Sequence, residues 1–280
     1  MGPAGLPRAL VDRAVGPVAV DGPAGDPGLF GPGAVVWRVH ANPVALAVGG
    51  VAAVILELAE PRVRTGVWEH SDFRRDPLAR MRRTAHATLQ TTFGATAQAR
   101  ACIDRINRQH ARVSGETPDG EAYSAQDPEL LAWVQATAAF GFLSAHRRLV
   151  DATMSAADED RYLAELAPLA KAFGVADPPK RIGDLRLSIE AMRPRLQPHP
   201  ILTEALRLIS SASPLGPLGR PLQPLIVHAA IALLPSWAPR RLALPGSVAT
   251  RAAAVAVLAA AAKLAPEVSA AREAAQRATA

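Results

Sequence analysis

Two consecutive helix patterns between Asp76 and Gly115 constrain the fold more than any other part of the chain. The first begins at Asp76-Pro77, because Asp can cap free helix N–H groups and Pro suits the first helical position. Apolar residues then recur at steps of three and four, which places them on one helix face. These residues are Leu78, Met81, Ala85 and Leu89. The pattern predicts a helix over residues 77–92 that ends at Phe93-Gly94.

The second pattern predicts a helix over residues 96–113, with Thr96 as a candidate N-cap. Its apolar stripe consists of Ile103, Ile106, His110 and Val113, at helical spacing. A histidine on such a stripe is most simply a hydrogen-bonded core residue.

The first helix also carries a polar stripe beside its packing face, formed by Arg80, Arg83 and Thr84. Taken alone, such a stripe is usually a solvated helix face. Spacing and composition therefore indicate a helical domain with two unusual helices, and no further function.

The rest of the chain predicts an all-α fold. Apolar, Ala-rich runs alternate with Pro and Gly, and neither an internal repeat nor a long alternating pattern is found. Ala34–His40 fits either a short strand or the lead into a helix, and Thr117–Tyr123 fits a turn or small hairpin. Residues 1–33 are expected to form an extended N-terminal arm, and residues 34–280 one large helical domain. Further helices are predicted at about 43–59, 127–150, 155–173, 183–193, 200–212, 221–234 and 247–264.

Composition argues against several classes of protein. The net charge is +6, but the arginines are spread along the chain and aromatic residues make up 4%, so no nucleic-acid partner is expected. Cys102 is the single cysteine, which excludes an intrachain disulfide and a cysteine-based zinc site. The N-terminus lacks a secretory signal pattern, so a cytoplasmic location is expected.

Three apolar segments raise the question of a membrane. They are Pro43–Ala59, Pro224–Trp237 and Ala252–Ala262, and each falls short of the ~20 residues that a span requires. We therefore expect buried core helices and no transmembrane span. Peripheral contact with a membrane surface is kept as an alternative, because Trp237 is followed by the basic pair Arg240-Arg241.

Most common site motifs are missing from the sequence. It contains no G-x-G-x-x-G after a strand, no Walker loop, no Glu-x-x-His and no His-Glu-x-x-His. His70-Ser71-Asp72 matches the His-x-Asp spacing of some non-haem iron oxygenases, but this triplet is short and common by chance.

Five sequence blocks, in this order, resemble a bacterial oxygenase family that includes latex-clearing protein, a rubber oxygenase, and the MpaB-type oxygenases. The blocks are GPGAVVWRVHANP, WEHSDFRRDP, RMRRT with TTFG, I-x-R-I-x-x-x-H-x-x-V-x-G ending at Gly115, and DPELL-x-WV from Asp127. The resemblance runs from about Gly31 to Pro239. It implies a helical fold, with a globin-like core in the rubber oxygenases, that holds one haem b. It also implies cleavage of a carbon–carbon double bond in an isoprenoid chain with dioxygen.

The resemblance assigns roles residue by residue. His110 matches the histidine that binds the haem iron on the proximal side. Arg80 and Thr84 match an Arg-x-x-x-Thr pair beside the haem. Arg83 stands where rubber oxygenases can carry a distal lysine, but a guanidinium stays protonated and has no free lone pair for iron. The iron is therefore expected to be more open.

These assignments give the predicted chemistry. Arg80, Arg83 and Thr84 are candidate catalytic residues. The arginines are expected to pair with haem propionates or to steady negative charge that develops on bound oxygen, and Thr84 to donate a hydrogen bond to that oxygen. His110, Arg80 and Thr84 are the candidate cofactor-binding residues, and His110 is the metal ligand. The predicted function is a haem-b-dependent oxygenase that uses dioxygen to oxidise or cleave a small hydrophobic, isoprenoid-like substrate. The alternative is a non-catalytic helical protein that binds haem or a lipid-like ligand.

Overall fold

The computed structural model describes residues 8–280, and the side chain of Leu218 is outside the description. Within these residues the chain folds into one all-α domain with a single small hairpin, as the sequence predicts. The helices are α1 Arg8–Val15, α2 Val35–His40, α3 Pro43–Ala59, α4 Pro61–His70, α5 Pro77–Phe93, α6 Thr96–His110, α7 Pro128–Leu149, α8 Ala156–Ala172, α9 Ile182–Met192, α10 Pro200–Ser211, α11 Gln223–Leu233, α12 Ala238–Arg241, α13 Val248–Leu264 and α14 Ser269–Thr279. A 3₁₀ helix, Gly216–Leu222, leads into α11.

Side-chain caps explain where the predicted helices begin. Asn42, Asp76 and Asp127 each accept a hydrogen bond from the first turn of α3, α5 and α7, at 3.1, 2.9 and 2.8 Å. Each is followed by a proline, which has no N–H to satisfy. The segment Ala34–His40, left open between strand and helix, contains α2.

Helix α6 departs from the prediction at both ends. Thr96 does not cap it; instead the Thr96 N–H and hydroxyl donate to the carboxylate of Asp26, at 2.9 and 2.7 Å. The helix ends at His110 and not at Val113, because the chain then turns into the hairpin. Val113 continues the apolar spacing of the helix in the sequence, and for this reason the prediction extended the helix to residue 113.

Helices α3 and α7 cross at the centre of the core. A Cβ atom placed on Gly49 would lie 2.8 Å from the carbonyl oxygen of Gly141, so the two backbones touch at this crossing. Apolar residues of both helices are buried around it, including Ile55 and Leu143. A Cβ on either glycine would lie less than 3 Å from the carbonyl oxygen of the other, so this crossing requires glycine on both helices.

Helix α4, which the sequence analysis missed, follows α3 at an angle of 108°. The turn is held by Glu60, whose fully buried carboxylate accepts from Val63 N at 2.8 Å and from Arg62 Nε at 2.9 Å. Arg195 adds a further contact with Glu60 at 3.3 Å. A buried carboxylate is tolerated here because it is paired and hydrogen-bonded.

The segment Thr117–Tyr123, left open between a turn and a small hairpin, lies in a hairpin. Strands β1 Ser114–Glu116 and β2 Ala122–Ser124 pair antiparallel, with Gly115 opposite Tyr123. Gly120, in the connecting turn, has φ +81°, which suits glycine. Tyr123 is buried and packs towards Gly66 of α4.

Part of the predicted N-terminal arm packs on the body of the protein. Residues 1–7 lie outside the described residues, but residues 8–15 form α1, and Val20 is buried. Arg277 of α14 donates to the carbonyl oxygens of Val20, Asp26 and Phe93. One guanidinium thus joins the arm, α5 and the C-terminal helix.

The C-terminal helices leave many of their apolar residues exposed on the surface of the protein. The stretch Val248–Thr279, which combines α13 and α14, contains an 18-residue window of mean hydropathy 1.6, and it is long and apolar enough to cross a membrane by length and composition. Only 22% of its apolar window is buried. The segment Ala252–Ala262, expected to be a core helix, buries one face, and Ala253 and Val257 are exposed on the other.

Candidate functional site

Helices α5 and α6 pack side by side, joined by Gly94-Ala95, and only one end of the pair is sealed into the core. At the Gly94 end, Leu89, Phe93 and Ala99 are fully buried. At the opposite end the apolar residues remain half-exposed, although the sequence predicts them to pack. They are Leu78, Met81 and Ala85 on α5 and Ile106 on α6. Among residues 8–280, an apolar face beside the site residues is thus only partly covered.

His110 lies at this partly covered end, as the last residue of α6. It is half-buried, and its Nδ1 is shielded from solvent without a hydrogen-bond partner in residues 8–280. Burial lowers the pKa of His110, and the positive charge of Arg80 lowers it further. The imidazole is therefore neutral near pH 7, which is the form that ligates metals.

A second buried imidazole shows what is particular about His110. Both ring nitrogens of His146 also lack a partner in the described chain, but His146 is 1% exposed and sealed in the core. His110, by contrast, is only half-buried at the end of α6, and partly accessible apolar residues lie on the same pair of helices.

Arg80 points towards the interior and is half-buried. Burial lowers the pKa of its guanidinium, while the nearby carboxylate of Glu57 acts in the opposite direction. The guanidinium also donates to Thr84 Oγ1, and the Thr84 hydroxyl donates to the Arg80 carbonyl oxygen at 3.1 Å. Thr84 is exposed, and within residues 8–280 its hydroxyl forms hydrogen bonds with Arg80 alone, so its main effect is on the position of that side chain.

Arg83 does not join this group. Its side chain is 54% exposed and lies 3.5 Å from Asp72 Oδ2. The three candidate catalytic residues therefore do not all converge. Arg80 and Thr84 are joined by hydrogen bonds, whereas the exposed side chain of Arg83 lies beside Asp72.

Glu57, which the sequence analysis passed over, belongs to the site. Its Oε1 accepts a hydrogen bond from Thr137 Oγ1 of α7 at 3.3 Å, and Arg80 lies close enough to stabilise its charge. Burial nevertheless raises the pKa of Glu57 to about 7. This carboxyl is therefore close to half-protonated at neutral pH and can take up or release a proton.

Glu57 also ends a partly accessible stripe on α3, a helix that is otherwise buried. The stripe consists of Ala47, Gly50, Val54 and Glu57, at steps of three and four. Phe142 of α7 lies beside Gly50. One signal in the sequence could have revealed the residue, because Glu57 is the lone carboxylate inside the apolar run Pro43–Ala59.

The His-x-Asp triplet is not assembled as a metal site. His70 Nε2 lies 3.1 Å from the Tyr123 hydroxyl, whereas Asp72 pairs with Arg75 at 3.1 Å. Between residues 8 and 280, no group of three or more His, Cys, Asp or Glu side chains is arranged to hold a metal ion. Cys102 is buried, as expected of a small core residue, and burial raises the pKa of its thiol.

Comparison with known proteins identifies the family. No curated protein and no solved structure shows a significant match to the chain. Residues 37–264, most of the chain, match the family described as ER-bound oxygenase mpaB/B'/rubber oxygenase, catalytic domain. The matched range includes α3, α5, α6 and α7, and with them Glu57, Arg80 and His110. The chain therefore belongs to the mpaB/rubber oxygenase catalytic-domain family.

Proposed function

We propose that this protein is a haem-b-dependent oxygenase that uses dioxygen to oxidise or cleave a small hydrophobic substrate, with His110 as the iron ligand. The observation that carries the proposal is the neutral, half-buried imidazole of His110, whose shielded nitrogen is unpaired within residues 8–280, beside a partly covered apolar face. Membership of an oxygenase family supports the class of reaction.

The residues of the site fit haem in their donor chemistry. A non-haem iron site needs several protein ligands, commonly two histidines and a carboxylate, whereas a haem needs from the protein only an axial side chain such as one histidine. The half-exposed faces of α5 and α6, with Leu78, Met81 and Ile106, are suited to the apolar surface of a porphyrin.

When bound, the haem would supply the dioxygen chemistry, and the side chains would control charge and protons around it. Arg80 offers a guanidinium that can pair with a carboxylate or with negative charge that develops in the reaction. Thr84 holds Arg80 through two hydrogen bonds along the helix. Glu57 can accept a proton at its carboxylate, because its pKa is raised to about 7.

The substrate side of the proposal rests on the stripe along α3. Ala47, Gly50 and Val54 offer small, apolar and partly accessible surface that leads towards Glu57. Such a lining favours a hydrophobic molecule without charged groups, of which an isoprenoid is one example.

The test begins with the absorption spectrum of the purified protein, where haem gives a Soret band. His110→Ala should lose most of the bound haem while its helical circular dichroism is retained. The matched control is His199→Ala, a histidine that caps α10 far along the chain, and it should keep its haem.

Oxygen uptake with hydrophobic alkenes then separates an enzyme from a binding protein. The proposal predicts uptake that depends on both haem and alkene. Full haem content with an unchanged spectrum in His110→Ala would refute the ligand assignment. A colourless protein that resists haem reconstitution would support the non-catalytic alternative.

A further inference from the structure

A cleft of about 340 Å³ lies between α7, α9 and α11, and the proposed function makes no use of it. None of its lining residues belongs to α5 or α6, where His110 and Arg80 lie. Its lining is about half apolar, and the partly exposed apolar side chains in it are Phe140, Ile182 and Leu233. The volume lies at the lower end of the range in which proteins bind small molecules.

Three arginines line the same cleft: Arg147 and Arg148 at the end of α7, and Arg186 on α9. Arg147 is neutralised by Glu159, with Nη1 2.6 Å from Oε1, but its Nε is shielded and has no acceptor within residues 8–280. Arg148 and Arg186 form no ion pair and no side-chain hydrogen bond in that part of the chain. The cleft therefore carries two uncompensated positive charges and one unused donor.

Helix electrostatics explains only part of this arrangement. Arginines in the last turn of a helix interact favourably with its negative C-terminal end, and this suffices for Arg147 and Arg148. Arg186 lies in the interior of α9 and has no such role. It shares the lining face of α9 with Ile182 and Leu185, at steps of four and one. An anion in the cleft would give Arg148 and Arg186 a shared partner.

We propose that this cleft binds an amphipathic anion, an aliphatic chain with a carboxylate or phosphate head group. The aliphatic chain would lie against Phe140, Ile182 and Leu233, and the head group would accept hydrogen bonds from Arg148 and Arg186. Guanidinium matches both carboxylate and phosphate with two parallel hydrogen bonds, so either head group satisfies the site. The site is separate from the proposed haem site and does not depend on it.

The experiment is isothermal titration calorimetry of the full-length protein, as purified, with decanoate, decyl phosphate and decanol. The two anions should bind with defined stoichiometry, and neutral decanol at least about tenfold more weakly. The stronger of the two anions identifies the preferred head group. The Soret band should not change on binding, which places the ligand away from the haem.

Three variants locate the site. Arg148→Ala and Arg186→Ala should each weaken binding of the anions at least about fivefold, because each removes a charge-assisted contact. Ala232→Phe, at an exposed position in the lining, should block the cleft without a change in charge. The control is Arg240→Ala, which removes the same charge from an exposed position outside the cleft.

Several results would overturn the proposal. Equal affinity for decanol and decanoate would show that the arginines do not recognise the head group. Equal loss in Arg240→Ala would show that net charge alone attracts the anion. A shifted Soret band together with unchanged affinity in the three cleft variants would place the ligand at the haem, and absence of binding would refute a lipid-anion site outright.

Discussion

Replacement of Glu57 by glutamine should stabilise the protein at alkaline pH and leave its stability unchanged at acid pH. Burial raises the pKa of this carboxyl from its usual 4.5 to about 7, against the opposing effects of Arg80 and Thr137. Each tenfold change in an acid dissociation constant corresponds to about 1.4 kcal/mol. The charged form of Glu57 therefore destabilises the folded state by about 3 kcal/mol relative to the neutral form.

The sign follows from proton binding. Between pH 4.5 and about 7 the folded protein retains a proton on Glu57 that the unfolded chain has lost. The stability that this proton provides is fully present below pH 4.5 and is lost as the pH rises through the folded pKa. Glutamine resembles the protonated carboxyl at every pH, so Glu57→Gln should escape the loss.

The assay is urea unfolding of wild type and Glu57→Gln at a series of pH values from 4 to 9, at constant haem content. The difference in free energy of unfolding should be near zero at pH 4 and rise to about 3 kcal/mol in favour of the variant at pH 8. The difference between the two proteins cancels the contribution of the histidines to the free energy of unfolding, since both proteins contain the same histidines. Glu273→Gln, at an exposed position of α14, is the control and should change stability by no more than about 0.5 kcal/mol.

Two outcomes would refute the reasoning. A difference that stays flat from pH 4 to pH 8 would mean that Glu57 titrates alike in the folded and unfolded chains. A variant less stable than wild type at pH 8 would mean that the attraction between Glu57 and the charge of Arg80 outweighs the effect of burial.

Three further predictions concern other parts of the chain. Arg83→Ala should leave the resting haem spectrum unchanged, and the ferric protein should bind added imidazole or cyanide readily; a nitrogen-ligated resting spectrum that changes in this variant would contradict it. Thr84→Ala should keep its melting temperature and haem, yet slow oxygen-dependent turnover by up to about a hundredfold; unfolding of the variant would assign the residue to the scaffold instead. Gly49→Ala should lower the free energy of unfolding by about 1–3 kcal/mol, because its Cβ would lie 2.8 Å from the Gly141 carbonyl oxygen, and unchanged urea denaturation would exclude a tight crossing.

Local features of the sequence were enough to predict the helical class and most helix boundaries. Asp76-Pro77 and Asp127-Pro128 start helices because a cap and a missing N–H act within a single turn. The apolar stripe placed His110 on the inner face of α6, where it is found half-buried. The same local reasoning missed α4, since Glu60-Pro61 reads as a helix end and is also the start of the next helix.

The assembly of the site depends on contacts between residues far apart in the sequence. Glu57 acquires its raised pKa from burial, and that pKa is moderated by Arg80 on α5 and Thr137 on α7, neither of which periodicity can place beside it. The polar stripe of α5 contains both Arg80 and Arg83, so it could not show whether the two side chains face the same way. Capping and periodicity act over a few residues, whereas burial and charge act through space, so only the tertiary structure brings Glu57, Arg80 and His110 together.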